Sequence, residues 1–568
     1  MYPGEAHRGG PAGGGGRLAP GARPRPRPVL LPVLLLLLAG LAALQARAAL
    51  HPEGLRRVLE GDAARAFGIP AAEIRDHLLP LYRAREFQPI WCSASGPRPG
   101  ARIVLRALRH AAREGLSPDR YGVSTLDALW PADGAAAPGV ATRLEVLITA
   151  GILRYARDLR TGSLDPAAVD PDWHLRPDPF DPVAWLRDAL ETGTLVAALA
   201  ALPPPQPGYG RLRAALAHYR RLATTGPWPR LEAGPLLRPG TRHRQVALLR
   251  RRLRLEGDLV LGPVVDPEVF DRPLEEAVAR FQTRHGLEPD GVVGPRTRAA
   301  LAESPRDLIR RIRVNMERWR WMPRRMGERY VLVNIGGFEL HLVELGQTVV
   351  AMRAIVGKLE RQTPSFRAML THLVVNPAWS VPPRIAEEDL VPAQVRDPQH
   401  FRRLGIRVYS GWSADARELD PAQIDWKSFL GRHLPYHLVQ DPGPANALGR
   451  IKFMLPNPYD IYLHDTPGRS LFDARTRAFS SGCIRIEQPL DLARHLLADQ
   501  PGAWSELQRW LKLGETRTIR LDRPLPVYLL YLTTWVEPDG TPYFHRDVYG
   551  RDAAVARVLP PLPGSPRV

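Results

Sequence analysis

The chain has 568 residues and a formal net charge of +19 at neutral pH, with 59 prolines, 48 glycines and only 2 cysteines. A chain of this length has room for several domains with separate hydrophobic cores. Nearly all of the positive charge is arginine, and no basic run alternates with aromatic residues, which argues against a platform for single-stranded nucleic acid. Two distant cysteines without clustered histidines give no support to a zinc site.

The first 48 residues have the pattern of an export segment. Five arginines and a single acid, Glu5, precede an uncharged apolar run from Val29 to Leu44, and Ala46-Arg47-Ala48 fits a small-residue cleavage rule. The apolar run is shorter than a comfortable membrane span. We therefore predict an exported protein of the periplasm or cell envelope. Residues 1–48 are expected to be a signal peptide, with an uncleaved anchor in the inner membrane as the alternative.

Residues 50–235 are predicted to form a helical scaffold domain. Apolar side chains recur at helical spacing around Leu105 and again around Ile148. Loops rich in proline and glycine separate these stretches, and residues 224–240 form a candidate linker. Because no cluster of catalytic side chains occurs here, we expect this region to support the rest of the chain.

Residues 243–303 are predicted to form a compact helical unit. Apolar faces at helical spacing occur around Leu249 and Val278. Asp290-Gly291 marks a turn, and Pro295 suits the first turn of a closing helix.

Residues 306–540 are predicted to form a mainly β domain, and residues 541–568 a C-terminal tail. Apolar and polar residues alternate from Phe338 to Leu342, which predicts a strand, and Gly336-Gly337 predicts a two-residue hairpin turn before it. Further strands are predicted over residues 348–356, 449–455, 460–464 and 527–531.

An insertion at about 384–440 interrupts this strand pattern with prolines, charges and scattered aromatic residues. Its aromatic residues, Tyr409, Trp412, Trp426 and Tyr436, follow no period, so we expect the segment to be too sparse for a core of its own. Long insertions of this kind are commonly lids or binding elements. We therefore predict a lid over a binding cleft.

Ser481-Gly482-Cys483 carries one of the two cysteines, and His464 precedes it in a strand-like segment. A thiol in a small-residue turn near a histidine is typical of a nucleophile and its base, because the imidazole removes the thiol proton or lowers its pKa. The backbone N–H groups of Ser481, Gly482 and Cys483 are candidate donors to a developing oxyanion. The alternative is a buried structural cysteine beside a core histidine.

Two neighbours of this pair are candidate substrate-binding residues. Tyr462 shares strand parity with His464, so both side chains are expected to line one cleft. Arg485 shares parity with Cys483 and either binds a substrate carboxylate or supports the turn. Asp465 has the opposite parity, so we expect a backbone carbonyl, and not this carboxylate, to orient the imidazole.

His464-Asp465-Thr466-Pro467 followed by Ser480–Arg485 resembles the signature of YkuD-type L,D-transpeptidases, cysteine enzymes that cross-link peptidoglycan stem peptides. Leu81–Trp91 resembles the opening of the scaffold domain in the large YcbB-like branch of this family. Phe281–Thr297 resembles a three-helix peptidoglycan-binding module, which either binds the wall or acts as a spacer. Val375–Pro382 resembles a further family segment, which makes Asn376 and Trp379 candidate substrate-binding residues.

The resemblance implies an L,D-transpeptidase that forms 3-3 cross-links in cell wall biogenesis through a thioester on Cys483, with His464 as the base. It implies a multidomain α+β chain with a YkuD-like β-sandwich catalytic domain, and neither a metal nor an organic cofactor. Donor and acceptor would be peptidoglycan tetrapeptide stems, with cell-wall synthases or carboxypeptidases as suppliers of substrate. No nucleic acid partner is expected. Membrane contact is expected only through an uncleaved N-terminal segment.

Two other functions stay open from the sequence. An L,D-carboxypeptidase or endopeptidase would use Cys483 and His464 in the same way, with water as the acceptor. A non-catalytic scaffold would bind the cell wall through the helical regions alone.

Overall fold

A computed structural model describes residues 50–562, except residues 94, 133–135 and 261. The predicted export segment over residues 1–48 lies outside these described residues. Within the described ranges, no helix is both long and apolar enough to cross a membrane. The chain combines a helical region, a smaller helical module and a mainly β domain, as predicted from the sequence.

The N-terminal helical region packs around one long helix, Pro138–Thr161. Glu145 on this helix has a buried carboxylate that accepts hydrogen bonds from the hydroxyl of Tyr82 at 2.6 Å and from the N–H of Trp91 at 2.9 Å. A small hairpin of β1 (Cys92–Ser93) and β2 (Gly96–Pro97) follows. Further α-helices span Pro52–Glu60, Ala63–Ala66, Ala71–Glu73, Leu79–Arg83, Pro99–Arg109, Val123–Leu129, Pro166–Val169, Pro182–Glu191, Leu195–Ala200 and Pro207–Leu222.

The second helical unit contains the helices Arg244–Leu255, Arg272–Arg284 and Pro295–Ala302, whose apolar faces share a separate buried core. Its predicted turn is tied to the second helix by Gln282. This side chain donates to the carboxylate of Asp290 at 2.7 Å and accepts from the N–H of Gly291 at 2.9 Å. The unit is therefore a three-helix module.

The C-terminal domain is a nine-stranded sheet that closes on itself. Its strands, with those of two smaller sheets, are β3 (Arg329–Asn334), β4 (Glu339–Glu344), β5 (Gln347–Gly357), β6 (Phe366–Val375), β7 (Trp379–Ser380), β8 (Ile406–Tyr409), β9 (Glu418–Leu419), β10 (His437–Gln440), β11 (Ile451–Met454), β12 (Leu463–His464), β13 (Ala478–Ser480), β14 (Ile484–Ile486), β15 (Arg517–Leu530), β16 (Thr534–Val536) and β17 (Pro542–Phe544). The order of the large sheet is β13-β5-β14-β12-β11-β6-β15-β3-β4, and β4 also pairs with β5. The closed, barrel-like ring encloses the main core of the domain.

Helices cover this ring and connect it to the rest of the chain. Helix Pro305–Arg320 and helix Pro207–Leu222 share a core with the outer side of β15. Further α-helices of the domain span Pro383–Ile385, Val391–Arg396, His400–Leu404, Pro489–Leu496, Ala503–Leu513 and Arg551–Val558.

The predicted hairpin is present as β3 and β4, but its turn is longer than predicted. The register ends at Asn334 opposite Glu339, so the turn takes in residues 335–338 in place of two glycines. Gly336 is required there because a Cβ at this position would lie 2.5 Å from the carbonyl oxygen of Leu532. The run predicted as a closing strand at 527–531 is the end of β15, which lies between β6 and β3.

Residues 379–440 form a lid subdomain with a sheet and a core of its own. The sheet order is β7-β10-β8-β9. Phe401 and Trp426 meet edge to face with ring centroids 5.0 Å apart, in a buried cluster that includes Val391 and Leu438. The expectation that this insertion is too sparse for its own core is therefore wrong. Rings distant in sequence meet only after the short strands have paired.

The helical scaffold touches the β domain close to the cysteine. Trp173 forms an isolated parallel bridge with Ser365, and the ring of His174 stacks on Tyr459 with centroids 4.6 Å apart. Tyr459 precedes Asp460, whose carbonyl oxygen faces the thiol of Cys483. The scaffold thus packs against the loop that borders the nucleophile.

Candidate active site

Cys483 lies in the tight turn that joins β13 to β14. Gly482 has a φ of +117° in this turn, a backbone conformation that disfavours side chains. The hydroxyl of Ser480 accepts from the N–H of Gly482 at 3.2 Å and donates to the carbonyl oxygen of Cys483 at 2.6 Å. The hydroxyl of Thr363 donates to the carbonyl oxygen of Gly482 at 2.7 Å. These bonds hold the turn from both sides and place the thiol.

The thiol of Cys483 is half-buried and free, and it donates to the carbonyl oxygen of Asp460 at 3.6 Å. Burial raises the pKa of this thiol. The N–H and hydroxyl of Tyr462 and the charges of Lys452 and Arg485 oppose that rise without cancelling it. The thiol is therefore protonated at neutral pH and must lose its proton as it attacks.

His464 is buried in β12, and the parallel pairing of β12 with β14 places it opposite Arg485. Its Nδ1 lies 2.6 Å from the carbonyl oxygen of Asp465. Since a carbonyl can only accept, Nδ1 carries the proton and Nε2 is left as an acceptor. Burial, followed by the charge of Arg485, lowers the pKa of His464 to about 3. The imidazole is thus neutral at neutral pH, which is the form that a general base needs.

The carboxylate of Asp465 does not orient the imidazole. It accepts from the N–H of Arg450 at 2.9 Å and pairs with Arg469 at 2.9 Å. Among the residues that the structure describes, Cys483 and His464 share no hydrogen bond, and no group of three or more His, Cys, Asp or Glu is placed to hold a metal ion. The site is a neutral thiol near a neutral imidazole, without a preformed ion pair.

Tyr462 and Trp379 form an aromatic wall of the site. The ring of Tyr462 lies edge-on to the imidazole of His464, with centroids 5.6 Å apart. Its hydroxyl interacts with the thiol of Cys483 and with Trp379, and burial raises its pKa. Trp379 belongs to β7 of the lid subdomain. The lid subdomain therefore contributes a side chain beside the nucleophile.

Lys452 also belongs to this site, although the sequence analysis did not select it. The pairing of β11 with β12 places Lys452 opposite His464. Its Nζ lies 3.9 Å from the ring centroid of Tyr462, and burial lowers its pKa. The sequence does offer one indication of this residue. The chain has only four lysines, and Lys452 lies in a predicted strand.

Asn376 has a structural role that replaces the substrate-binding role implied by the resemblance. Its side-chain amide donates to the carbonyl oxygens of Trp510 at 2.8 Å and Glu515 at 3.1 Å. Its own carbonyl oxygen accepts from the hydroxyl of Thr516 at 2.6 Å. Asn376 thus anchors the end of helix Ala503–Leu513 and does not join the residues around the thiol.

The hydrogen bonds of the turn distinguish between the candidate oxyanion donors. The N–H of Gly482 already donates to Ser480 Oγ, so it is not free to bind an oxyanion. Ser481 is exposed, and its hydroxyl accepts from the guanidinium of Arg361 at 2.7 Å. The N–H of Cys483 has no acceptor among the described residues. The N–H of Ser481 likewise has no acceptor in the described part of the chain, so the N–H groups of Ser481 and Cys483 both stay candidates.

Three family models match separate parts of the chain. A scaffold domain matches residues 76–216, a “Putative peptidoglycan binding domain” matches residues 242–301, and the YkuD model, an L,D-transpeptidase catalytic domain, matches residues 328–519. The last range contains both Cys483 and His464. The order of the matches is the order of the helical region, the three-helix module and the β domain.

Two curated proteins match parts of the chain. A “Putative L,D-transpeptidase” of Haemophilus influenzae is 36% identical over 253 residues, which cover 44% of this chain and 49% of that protein. The N-acetylmuramoyl-L-alanine amidase CwlM of Mycobacterium tuberculosis is 41% identical over 85 residues, which cover 14% of this chain and 21% of that protein. The chain thus spans about half the length of the first relative and about a fifth of the second.

Solved L,D-transpeptidase structures align only weakly. One from Stackebrandtia nassauensis has 13% identity, covers 53% of this chain and 96% of that chain, and has a TM-score of 0.20. One from Xylanimonas cellulosilytica has 18% identity, covers 53% of this chain and 100% of that chain, and has a TM-score of 0.16. Scores this low carry no argument, so the assignment depends on the family models and the Haemophilus protein. By these matches, the chain carries the catalytic domain of the L,D-transpeptidase (YkuD) family, together with a scaffold domain and a peptidoglycan-binding domain.

Proposed function

We propose that the protein is an L,D-transpeptidase that forms 3-3 cross-links between peptidoglycan stem peptides through a thioester on Cys483. The observation that carries the proposal is a free thiol on a glycine turn, two residues before Arg485, which pairs across the sheet with His464, a neutral imidazole whose Nε2 can accept a proton. The match to the L,D-transpeptidase catalytic domain supports peptidoglycan as the substrate class.

In the first step, the sulfur of Cys483 attacks the amide carbonyl between the L-centre of a diamino acid and the terminal D-residue of a tetrapeptide stem. His464 Nε2 takes the thiol proton and returns it to the leaving amine as the C–N bond breaks. The terminal D-residue leaves, and a thioester remains on Cys483. The low pKa of His464 favours this proton return but makes the imidazole a weak base, so the thiol proton is transferred only as the sulfur attacks and no free ion pair forms.

The oxyanion that forms in this step needs positive partial charge beside the sulfur. The N–H groups of Ser481 and Cys483 are the proposed hydrogen-bond donors, since neither has an acceptor among the described residues. Lys452 and Arg485 add positive charge, because both interact electrostatically with Cys483. Groups held in place before the reaction stabilise such charge without reorganisation.

In the second step, a side-chain amine of a neighbouring stem attacks the thioester. His464 accepts the proton of the incoming amine, and the thiol of Cys483 is regenerated. The lid subdomain, which contributes Trp379 to the wall of the site, shelters the thioester from water. This shelter favours the amine over hydrolysis.

The second candidate function is an L,D-carboxypeptidase or endopeptidase that hydrolyses the same thioester. Cys483 and His464 would have the same roles in it. The lid subdomain favours transfer, because a covering element with its own packed core restricts the entry of water.

We propose that the other domains place the catalytic domain on its polymer. In this assignment, residues 50–235 serve as the scaffold, residues 243–303 contact peptidoglycan, and residues 306–540 carry the chemistry. A cell-wall-acting enzyme works outside the cytoplasm, which agrees with the predicted export segment. Periplasmic localisation and the supply of tetrapeptides by synthases or carboxypeptidases belong to the same proposal.

This function is tested by incubating the full chain with a disaccharide tetrapeptide and measuring the masses of the products. We expect a cross-linked dimer, with one D-residue released for each cross-link. The Cys483→Ser variant should fold but lose nearly all activity, since a hydroxyl is a far weaker nucleophile than a thiol. Trimmed tripeptide without dimer would assign the hydrolase, and unchanged processing by Cys483→Ala would assign the wall-binding scaffold.

A further inference from the structure

Two cations of the site form no ion pair among the residues that the structure describes. Lys452 contacts the face of Tyr462, and the carboxylate of Asp460 acts on it only through a longer-range charge interaction. Arg485 forms no ion pair either, and its Nε is buried without a hydrogen-bond acceptor. Most buried arginines of the described residues are paired with carboxylates, such as Arg361 with Asp389, and the buried Arg313 and Arg477 donate to backbone carbonyls.

The two cations lie on either side of the proposed base. Lys452 is opposite His464 in the antiparallel pairing of β11 with β12, and Arg485 is opposite His464 in the parallel pairing of β12 with β14. Adjacent strands of a sheet are about 4.8 Å apart. The three side chains therefore form a row across the sheet, and both cations interact electrostatically with Cys483.

The thiol of Cys483 does not supply the missing negative charge. Burial raises its pKa, so the thiol is neutral in the resting enzyme. In the thioester the sulfur carries no charge at all. Half-buried cations are costly without a counter-charge, so an anion delivered by the substrate would complete this arrangement.

We propose that Lys452, together with Arg485, binds the free C-terminal carboxylate of the donor stem peptide. This assignment rests on the proposed function, in which the terminal D-residue lies directly beyond the attacked carbonyl. Its carboxylate therefore enters the site beside the sulfur, where the row of cations lies. The face of Tyr462 holds the ammonium of Lys452 in place by a cation–π contact. The site accordingly selects donors with a free terminal carboxylate over amidated donors.

Binding to the Cys483→Ala protein tests the proposal without turnover. Calorimetry compares a disaccharide tetrapeptide that ends in a free carboxylate with the same compound ending in an amide. We expect the free acid to bind at least about tenfold more tightly, because one partner of a charge pair is lost in the amide. Adding Lys452→Met should abolish most of this preference, whereas Lys452→Arg should keep most of it. Lys512→Met removes an exposed lysine and is the matched control.

Equal affinity for the acid and the amide would overturn the proposal. An equal loss of both affinities in Lys452→Met would do the same, because it would show a structural role.

Failure of the proposed function gives a different result. One such result is that the Cys483→Ala protein prefers the free acid while the enzyme with Cys483 intact releases no D-residue. This result would contradict transpeptidation but would not contradict carboxylate binding. The carboxylate site would then stand on its own.

Discussion

The guanidinium of Arg361 donates to the hydroxyl of Ser481 at 2.7 Å, although the two residues are 120 positions apart. The same guanidinium pairs with Asp389 at 2.5 Å and with Glu388 at 2.6 Å. Ser481 lies in the nucleophile turn, and the two acids lie in the lid subdomain. One cation, with a side chain that is 4% exposed, therefore couples the position of the lid subdomain to the geometry around Cys483.

Releasing Arg361 from the lid subdomain should disturb the turn. The double change Glu388→Gln and Asp389→Asn leaves the guanidinium of Arg361 without its charge partners. We expect slower cross-linking and more hydrolysis, measured as a fall in the ratio of dimer to trimmed tripeptide.

The control for this prediction is Arg384→Gln. This change removes the exposed pair between Arg384 and Glu388 at 2.8 Å and leaves the partners of Arg361 in place. Exposed pairs contribute little to stability, so the product ratio should stay as in the parent. If the control and the double change behave alike, Arg361 does not couple the lid subdomain to the turn.

Gly482→Ala should slow acylation of Cys483 through the backbone alone. A Cβ at this position meets nothing within 4 Å, but the φ of +117° is strained for alanine. Strain of this kind costs about 1–3 kcal/mol and shifts the turn. Gly346→Ala is the matched control, since Gly346 has a φ of +79° and equally open space in a turn before β5. Slower acylation in both variants would show a general loss of stability and not an effect of the turn.

The low pKa of His464 predicts an uptake of protons on unfolding. This pKa is about 3 in the folded chain against an ordinary value of 6.5. Between these values, the unfolded chain binds a proton on His464 that the folded chain does not bind. The contribution to stability is therefore present above pH 6.5 and is lost as the pH falls toward 3.

Potentiometric measurement of proton uptake on denaturation at pH 5 checks this prediction. The variant His464→Gln should take up about one proton fewer per chain than the parent. His433→Gln, which removes an exposed imidazole from the lid subdomain, serves as the control. Equal uptake by the parent and His464→Gln would mean that the imidazole is not held neutral by the fold.

Trimming the lid subdomain should separate acylation from transfer. Its core is distinct from the core inside the ring, so replacing residues 390–435 with a short Gly-Ser linker should leave the ring folded. The trimmed chain keeps Trp379, Glu388 and Asp389. We expect its thiol to react with a small acylating drug, while cross-linking falls much more and hydrolysis gains. Unfolding of the ring, or cross-linking at the parent's rate, would contradict this role.

Local patterns were enough to predict the parts of the site that are close together in the sequence. Strand parity placed Tyr462 and His464 on one side of the sheet, and their rings lie 5.6 Å apart. The same parity pointed Asp465 away, and the backbone carbonyl of that residue orients the imidazole. Alternation over Phe338–Leu342 predicted β4 because one face of that strand is buried in the ring.

Features that depend on pairing between distant segments could not be read from local patterns. Lys452 becomes a neighbour of His464 only through the register of β11 with β12, and Arg361 reaches Ser481 only after the sheet has closed. The lid subdomain has short strands between turns, so its core has no hydrophobic period. Two of its rings, Phe401 in helix His400–Leu404 and Trp426 in a 3-10 helix, meet only because the sheet brings the connections between its strands together.

Intact-protein mass spectrometry after brief exposure to a carbapenem, a small acylating β-lactam, tests the central claim most directly. The account predicts a single covalent adduct with the mass of the drug on the parent protein, formed on the sulfur of Cys483. The Cys483→Ala variant should remain at its unmodified mass under the same conditions. An adduct that persists in Cys483→Ala would contradict the assignment of Cys483 as the nucleophile.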